Sequence, residues 1–551
     1  MTLKQKNGML KLIFFFSSIV LFSISSGCSS SKMYRKHNYH NGVVYYNNFL
    51  KISGRFFGDI NFYTIGEKEI HTKFLKNNHS IKKNIILYGR AKDPKYEVII
   101  TYRENKKIKK STDTLLLNDI KDQKVIYKKS TKGKEIKLYI SAIGSHKSNL
   151  TMLRDGDKII KSFKFNSNIE DQVQLIDIFN TYRYENNFLY LLNKLDQAPI
   201  NTKQRNQWLN FQLYTTILSN DTSNKRYQEL IKKYDSKRTQ NLKKITEDVL
   251  ATISNHPNKK GVLPQIKNVS KHKKVVMLNE NHWSPNHRIF AHSLLPILKE
   301  NGFNYLAIEA VNKDQDSILN ERGIPAKSTG YYTREPYFGI FIRKALALGY
   351  HIVGYDDDVS NNREKAQAEN LIKIIDKDPD AKIFVYAGID HILEYNPVKK
   401  MMAGYFKELS GINPLTIDQV EIIANTNADT ILLESKYFNQ SELINSGVDY
   451  FLINTIKPNL KKVYKENTVF LFSSEEKTLK TYKNEDVLVS VFLEKEYLKL
   501  KNNSIPIKNK ILSVKDNTIE LELPEGNYRL KIMDGNNKVI LSKEINHHRS
   551  K

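Results

Sequence analysis

Between residues 262 and 465 short apolar runs alternate with amphipathic stretches, and this alternation constrains the fold more than any other feature of the chain. The runs are "KKVVML", "NYLAIEA", "HIVGYDDD", "KIFVYAGIDH" and "DTILLES". Each is too short for a core helix and too apolar for a surface loop, so each reads as a buried strand. Strands separated by helical patterns predict an α/β domain with a mostly parallel sheet. Crossover helices cover both faces of such a sheet, which leaves the loops outside the carboxyl ends of the strands as the place for chemistry.

Those ends are polar. The first strand ends at Asn279, Glu280 and His282, the second at Glu309, the third at Asp356 to Asp358, the fourth at Gly388 and His391, and the fifth at Glu434. Five strands are thus expected to aim acids or imidazoles at one rim. Taken singly, each has an ordinary explanation. Glu434 reads as a solvated or capping residue, the three aspartates read as a turn and helix start with Asp356 nearest the strand, and a single His after a strand is commonly structural. Two strand-to-His turns with Glu280 and Glu309 beside them are harder to explain that way.

"LNENH" is similar to the Gly-Glu-x-His turn, and "YAGIDH" to the Gly-x-x-His turn, of the superfamily that groups ChaN-like haem-binding lipoproteins, TraB and Tiki proteins, and erythromycin esterase-like hydrolases. "REKAQAEN", residues 363 to 370, resembles the Arg-containing helix those proteins place between their two His motifs. The resemblance covers about 270 to 420. It implies Glu280, His282, Glu309, Arg363 and His391 as the site. One departure is Asn279, where the family has Gly; Asn tolerates the left-handed conformation, so the turn is expected to survive with less room for a ligand.

On this reading Glu280 and His282 bind a divalent metal, or the carboxylate orients the imidazole as general base towards water. Glu309 and His391 would complete a mixed N/O coordination sphere suited to zinc, manganese or iron. Arg363 would hold a carboxylate or stabilise a developing oxyanion. No HExxH, P-loop or GxSxG pattern is present, which argues against zincins, NTPases and ordinary serine hydrolases. "STGYYTREPYFG", residues 328 to 339, is a candidate lid or specificity loop with Tyr331, Tyr332, Arg334 and Glu335 towards substrate. Its plain alternative is a helix start, with Thr333 as cap, Glu335 at the positive end and Pro336 in the first turn. His287 and His292 lie five apart, on different faces of a helix, and read as structural.

The flanks differ in kind. Lys4, Lys6 and Lys11 precede "LIFFFSSIVLF" and the small residues "SISSGCSSS", so residues 1–27 read as a secretory signal. "ISSGC" loosely resembles a bacterial lipobox, and Cys28, the single cysteine, is expected to be lipidated, with 28–41 as a tether. Residues 42–165 read as an antiparallel β module, 168–258 as a helical region and 466–548 as a C-terminal β-sandwich-like module. The net charge is +28, but the lysines are scattered and no zinc finger, RNP-like or helix-turn-helix pattern accompanies them, so nucleic acid is not expected as a partner. The sequence therefore points to an exported hydrolase of the bacterial cell envelope, of esterase or peptidase type, lipid-anchored to a membrane and acting on a small molecule or peptide. Its rival is a haem- or metal-binding uptake lipoprotein in which the same histidines hold iron or haem, with Tyr386, Tyr331 and Tyr332 as ligands or stacking partners. A third reading is a scaffold in which Asn279 marks lost catalysis.

Overall fold

The computed structural model describes stretches of residues 43–196, residues 204–236, and residues 261–548 apart from 358–359, 361, 423–429, 439–446, 466–467 and 516–517. The expected signal, Cys28 and the tether lie outside the described residues, as does Asp358. Contacts divide the chain into two compact units, Met1–Asn180 with Gln197–Leu209, and Thr181–Asp196 with Asn210–Lys551.

The first unit is antiparallel. Strands β1 (Val43–Asn47), β2 (Ile52–Phe56) and β9 (Lys164–Phe165) form one sheet. A second sheet contains β3 (Ile60–Phe62), β4 (Ile85–Ala91), β5 (Tyr96–Glu104), β6 (Leu115–Asp119), β7 (Lys124–Thr131) and β8 (Lys134–Ala142), in the order β3-β4-β5-β8-β7-β6. Helix α1 (Leu150–Ser162) buries Ile159 and Ile160, and Phe163 fills the space beside Gly54, where a Cβ would lie 2.6 Å from the ring.

The second unit contains α2 (Phe188–Asp196), the latter part of α3 (Gln204–Leu218) and α4 (Val262–Ser270), and then the seven-stranded sheet. Its strands are β10 (Val275–Glu280), β11 (Tyr305–Ile308), β12 (His351–Gly354), β13 (Ile383–Gly388), β14 (Leu415–Asp418), β15 (Ile431–Glu434) and β16 (Tyr450–Ile453), in the order β12-β11-β13-β10-β14-β16-β15. Every neighbouring pair is parallel except β15 with β16. Strands β10 and β13 are buried along their whole length, which is why their sequences are almost uninterruptedly apolar.

Alternate residues of these strands feed two cores. Val276, Leu278, Phe384 and Tyr386 pack with α5 (Pro285–Glu300) and α7 (Pro336–Ala347), and α6 (Asp316–Arg322) adds Leu319. Val275, Met277, Ile383 and Val385 pack with α8 (Arg363–Lys377) and α9 (Met402–Ser410). The layout is helix, sheet, helix, as the alternation requires.

The expectation of five strand ends on one rim is corrected to four. Glu434 ends β15, which runs against its neighbour and pairs with Tyr450, the first residue of β16. It therefore lies at the opposite end of the sheet, where it pairs with Lys436 at 2.6 Å. Strands β14 and β16, four residues each, escaped the sequence reading.

After the short α10 (Leu460–Val463), strands β17 (Val469–Glu475) and β20 (Thr518–Pro524) pair. Strands β18 (Asp486–Leu493), β19 (Lys508–Ser513), β21 (Gly526–Asp534) and β22 (Val539–His547) form an antiparallel sheet in the order β19-β18-β21-β22, with α11 (Glu494–Leu500) after β18. The core between these sheets includes Ile289 of α5 and Tyr337 and Ile340 of α7, so this module shares its hydrophobic interior with the α/β layers. Among the described residues no helix is long and apolar enough to cross a membrane.

Candidate active site

Glu280 is the last residue of β10 and is 1% exposed. A carboxylate so placed has lost its water and must be compensated. Arg288, one turn into α5 and fully buried, supplies this: Nε donates to Oε2 at 2.9 Å and Nη2 to Oε1 at 3.3 Å, while Tyr386 donates its hydroxyl to Oε2 at 3.0 Å. Burial alone would raise the Glu280 pKa, but Arg288 and His282 outweigh it and hold the carboxyl below its usual range. The remaining lone pair of Oε1 faces His282 Nδ1 at 3.0 Å. That contact fixes the ring with Nδ1–H towards the carboxylate and leaves Nε2 as a base.

Arg288 also donates from Nη2 to the His282 carbonyl at 2.6 Å and from Nη1 to Glu335 Oε2 at 2.8 Å, its guanidinium lying 4.7 Å from the Phe338 ring centre. Glu335 is itself the N-cap of α7, accepting from the backbone N–H of Tyr337 and Phe338 at 3.0 and 2.9 Å. Thr333, the cap in the helix-start alternative, instead donates to the Gly330 carbonyl at 3.1 Å.

The second cluster forms where β11, β12 and β13 end. Glu309 Oε1 accepts from Arg363 Nη2 at 2.6 Å, and Oε2 accepts from the Gly388 backbone N–H at 2.5 Å. Arg363 donates twice more to Asp356, at 2.7 and 2.9 Å. His391 Nδ1 lies 2.8 Å from Glu364 Oε2, and Lys399 donates to the other oxygen of Glu364 at 2.9 Å. Burial alone would lower the His391 pKa, but Glu364 and Glu309 raise it to about 10. Glu364 is correspondingly lowered to about 2: burial opposes this, and His391 and Lys399 prevail.

His391 Nε2 is 3.1 Å from Arg363 Nη1 and 3.4 Å from Glu309 Oε1. A neutral ring would accept from Arg363; an imidazolium would turn its Nε2–H to Glu309. The charge balance favours the imidazolium. Three carboxylates, Glu309, Asp356 and Glu364, face two fixed cations, Arg363 and Lys399, and a charged His391 makes the set neutral.

The two clusters meet at Gly388, opposite Glu280 in the β10–β13 register. A Cβ on Gly388 would lie 2.9 Å from His282 Cε1, 3.1 Å from His282 Nε2 and 3.0 Å from Glu309 Oε2. The absent side chain is therefore what lets the His282 base edge and the Glu309 carboxylate close on one spot. Tyr332 covers the ring of His282, stacked at 3.9 Å and 14°.

The residues assigned from sequence thus divide. Glu280, His282, Glu309 and His391 come together, with Arg363 among them, but Arg363 has its Nε and Nη2 donors turned to Asp356 and Glu309, so it neutralises buried carboxylates. Of the expected substrate loop only Tyr332 reaches the site. Tyr331, 6% exposed, packs against Tyr182 at 5.1 Å, and Arg334 donates to the Glu185 carbonyl at 2.5 Å; Glu335, 2% exposed, serves Arg288. Asn279 is not a turn residue. It is extended within β10, its side chain donating to the Ile389 carbonyl at 2.8 Å and accepting from the Gln419 N–H at 2.8 Å. His287 accepts the Asn281 N–H at Nδ1, 3.0 Å away, and His292 is kept neutral, lowered to about 4 by burial and by Lys344 and Lys465.

Arg288 and Glu364, to which the sequence reading gave no role, and Asp356, which it placed nearest the strand, hold the site residues in place. Glu364 and Arg288 carried a readable signal, each sitting in the first turns of a helix that follows a site strand. The expected zinc, manganese or iron centre does not fit: among the described residues no group of three or more His, Cys, Asp or Glu could hold a metal ion. Each central carboxylate already faces a guanidinium, and a divalent ion would have to displace it. A haem iron held by His391 would likewise need Nε2 released from Arg363 and Glu309.

No protein-family model matches the sequence, and no curated protein matches it. Partial likenesses exist among solved structures. The type III effector HopBA1 is 12% identical at a TM-score of 0.27, covering 37% of this chain and 97% of that one. ChaN of Campylobacter jejuni, solved with cofacial haem, is 12% identical at 0.24, covering 36% and 93%. A bacterial protein toxin is 15% identical at 0.24, covering 40% of this chain; the match spans 47% of the toxin.

Proposed function

We propose that the second unit is a hydrolase of esterase or peptidase type that needs no metal, carried by a lipid-anchored protein of the bacterial cell envelope. One observation carries the catalytic part: two histidines, each with Nδ1 held by its own carboxylate, turn their other edge towards Glu309. His282, backed by Glu280, is the base that takes a proton from water as it adds to the carbonyl. His391, held charged by Glu364 and Glu309, is the acid that returns a proton to the leaving alcohol or amine. Dividing the taking and the returning of the proton between two imidazoles is how one site performs both transfers. Glu309 lies beside both edges and balances the charge that passes between them, and Arg363 and Arg288 keep the carboxylates ionised. The motif resemblance agrees with this reading. Lipidation at Cys28 rests on the sequence alone.

The test is a panel of chromogenic esters and peptides offered to the protein in excess chelator. Turnover that persists with chelator and disappears in His282→Ala and in His391→Ala, both folded by circular dichroism, is expected. Turnover restored only by added zinc, manganese or iron would overturn the metal-free mechanism. A Soret band on haem addition that vanishes in the same two variants, with no turnover in the panel, would transfer the site to the haem-uptake reading.

A further inference from the structure

The charge of +28 is unevenly shared. The first unit holds 35 Lys and Arg against 15 Asp and Glu, net +20, and the second holds 52 against 44, net +8. Lys4, Lys6 and Lys11 of the leader account for three of the twenty. Residues 42–165 alone hold 27 against 12, net +15. A lysine-rich genome would tint both units alike, so composition does not explain the difference. Charge asymmetry along a chain is the mark of a part that meets a polyanion.

The described residues show where some of that charge collects. Lys128 on β7 stands directly opposite Lys137 on β8, and both lean on the single carboxylate of Glu135, at 2.8 and 3.5 Å. Like charges facing each other across strands weaken a hairpin. On the opposite face Lys129 donates to the Lys161 carbonyl at 3.0 Å, and burial together with the nearby Lys164 lowers its pKa. Lys128 and Lys137 therefore share one face of the β7–β8 pair with Glu135 between them, and Lys129 lies on the other face, towards α1 and the neighbouring Lys161 and Lys164, where Asp157 pairs with Lys161.

We infer that the N-terminal β module docks on the anionic phospholipid headgroups of the leaflet that holds the Cys28 anchor. The inference rests on the lipid-anchor reading for its geometry. Residues 29–41 can span at most about 45 Å when fully extended, so the first folded element after an acylated Cys28 is confined near the bilayer. Anionic leaflets draw clustered lysines within a Debye length of the surface. The positive module thus follows the anchor directly in the chain, while the nearly balanced second unit, which holds the site, does not share its excess.

The experiment uses residues 28–551 with Cys28→Ser, and vesicles of phosphatidylcholine with or without phosphatidylglycerol. Co-sedimentation at least about tenfold stronger on the anionic vesicles, abolished by about 0.5 M salt, is expected. Lys128→Gln and Lys137→Gln, which share one face, should each weaken it by up to about fivefold without altering turnover by the second unit. Should those variants misfold, the lipid and salt dependence of the parent decides alone. Equal partition onto both vesicles, no binding, or a preference for DNA or an anionic polysaccharide over the anionic vesicles would overturn the inference. Metabolic labelling of the full chain with a fatty acid separates the premises: no label on Cys28 with vesicle binding intact removes the anchor and leaves the docking surface standing.

Discussion

Gly388→Ala isolates the geometry of the site from the stability of the fold. Gly388 has φ −77° and ψ 150°, extended backbone that alanine adopts freely. The substitution should even stabilise by about 0.4–1 kcal/mol through the unfolded chain, if space allows. Space does not allow it, because the new Cβ would sit 2.9 Å from His282 Cε1. Carbon atoms rest at about 3.5–4.0 Å, so His282 must retreat by at least about 0.6 Å. Its ring is pinned by Glu280 at Nδ1 and by the Tyr332 stack at 3.9 Å. The other neighbour, Glu309 Oε2, is held by the Gly388 N–H itself. Displacement on that scale typically costs about tenfold to a hundredfold in rate, and overpacking costs about 1–3 kcal/mol against the entropic gain. Expected, therefore, is a melting temperature within a few degrees of the parent, a drop of at least tenfold in turnover of whichever panel substrate is found, and altered imidazole resonances of His282 by NMR. Parent-like turnover together with unchanged His282 resonances would refute the claim that Gly388 makes room for the reacting edge.

Four other outcomes follow from the same geometry. Arg288→Met leaves Glu280 and Glu335 buried without their cation and should lower the unfolding free energy by about 3–5 kcal/mol in urea titration, as for breaking a buried pair; a loss below about 1 kcal/mol would show that the carboxylates relax to other partners. His391 has a folded pKa raised to about 10 from the 6.5 of a free imidazole, so the stability it contributes is complete below about pH 6.5 and is lost as pH rises through about 10. Urea midpoints should fall across that window, and His391→Gln should flatten the slope. Asn279→Gly restores the family residue yet removes two buried side-chain hydrogen bonds; it should destabilise by about 1–3 kcal/mol without raising turnover, whereas a gain of activity would mean that Asn279 had suppressed catalysis. Tyr332→Phe should keep the His282 stack and the rate, while Tyr332→Ala should forfeit about 0.5–1.5 kcal/mol of ring contact and lower turnover.

The fold class was legible because β10, β11, β12 and β13 are apolar runs whose polar ends share a direction in any parallel sheet. The misreading of Glu434 has the same origin: strand direction is not written in a single run, and β15 reverses against β16. Strands β14 and β16 were missed because "LTID" and "YFLI" are too short to show a period. Within the site, spacing revealed Glu280 with His282, two residues apart. It could not reveal that Arg288 holds Glu280, because that contact joins a strand to a helix through tertiary packing, nor which carboxylates Arg363 would hold. Asn279 shows the limit of reading a motif position by local conformation alone: the substitution is accommodated by Gln419, 140 residues away, through a sheet register no local pattern encodes.

The two arginines have a consequence for how the protein comes into being. Charges that compensate Glu280 and Glu309 are part of the polypeptide itself, with pKa values that no physiological pH can reach. On the metal-free mechanism proposed above, such a centre would require no maturation step, no insertion machinery and no competition among ions in its surroundings. It is complete when the last helix docks, and it is inherited with the gene alone.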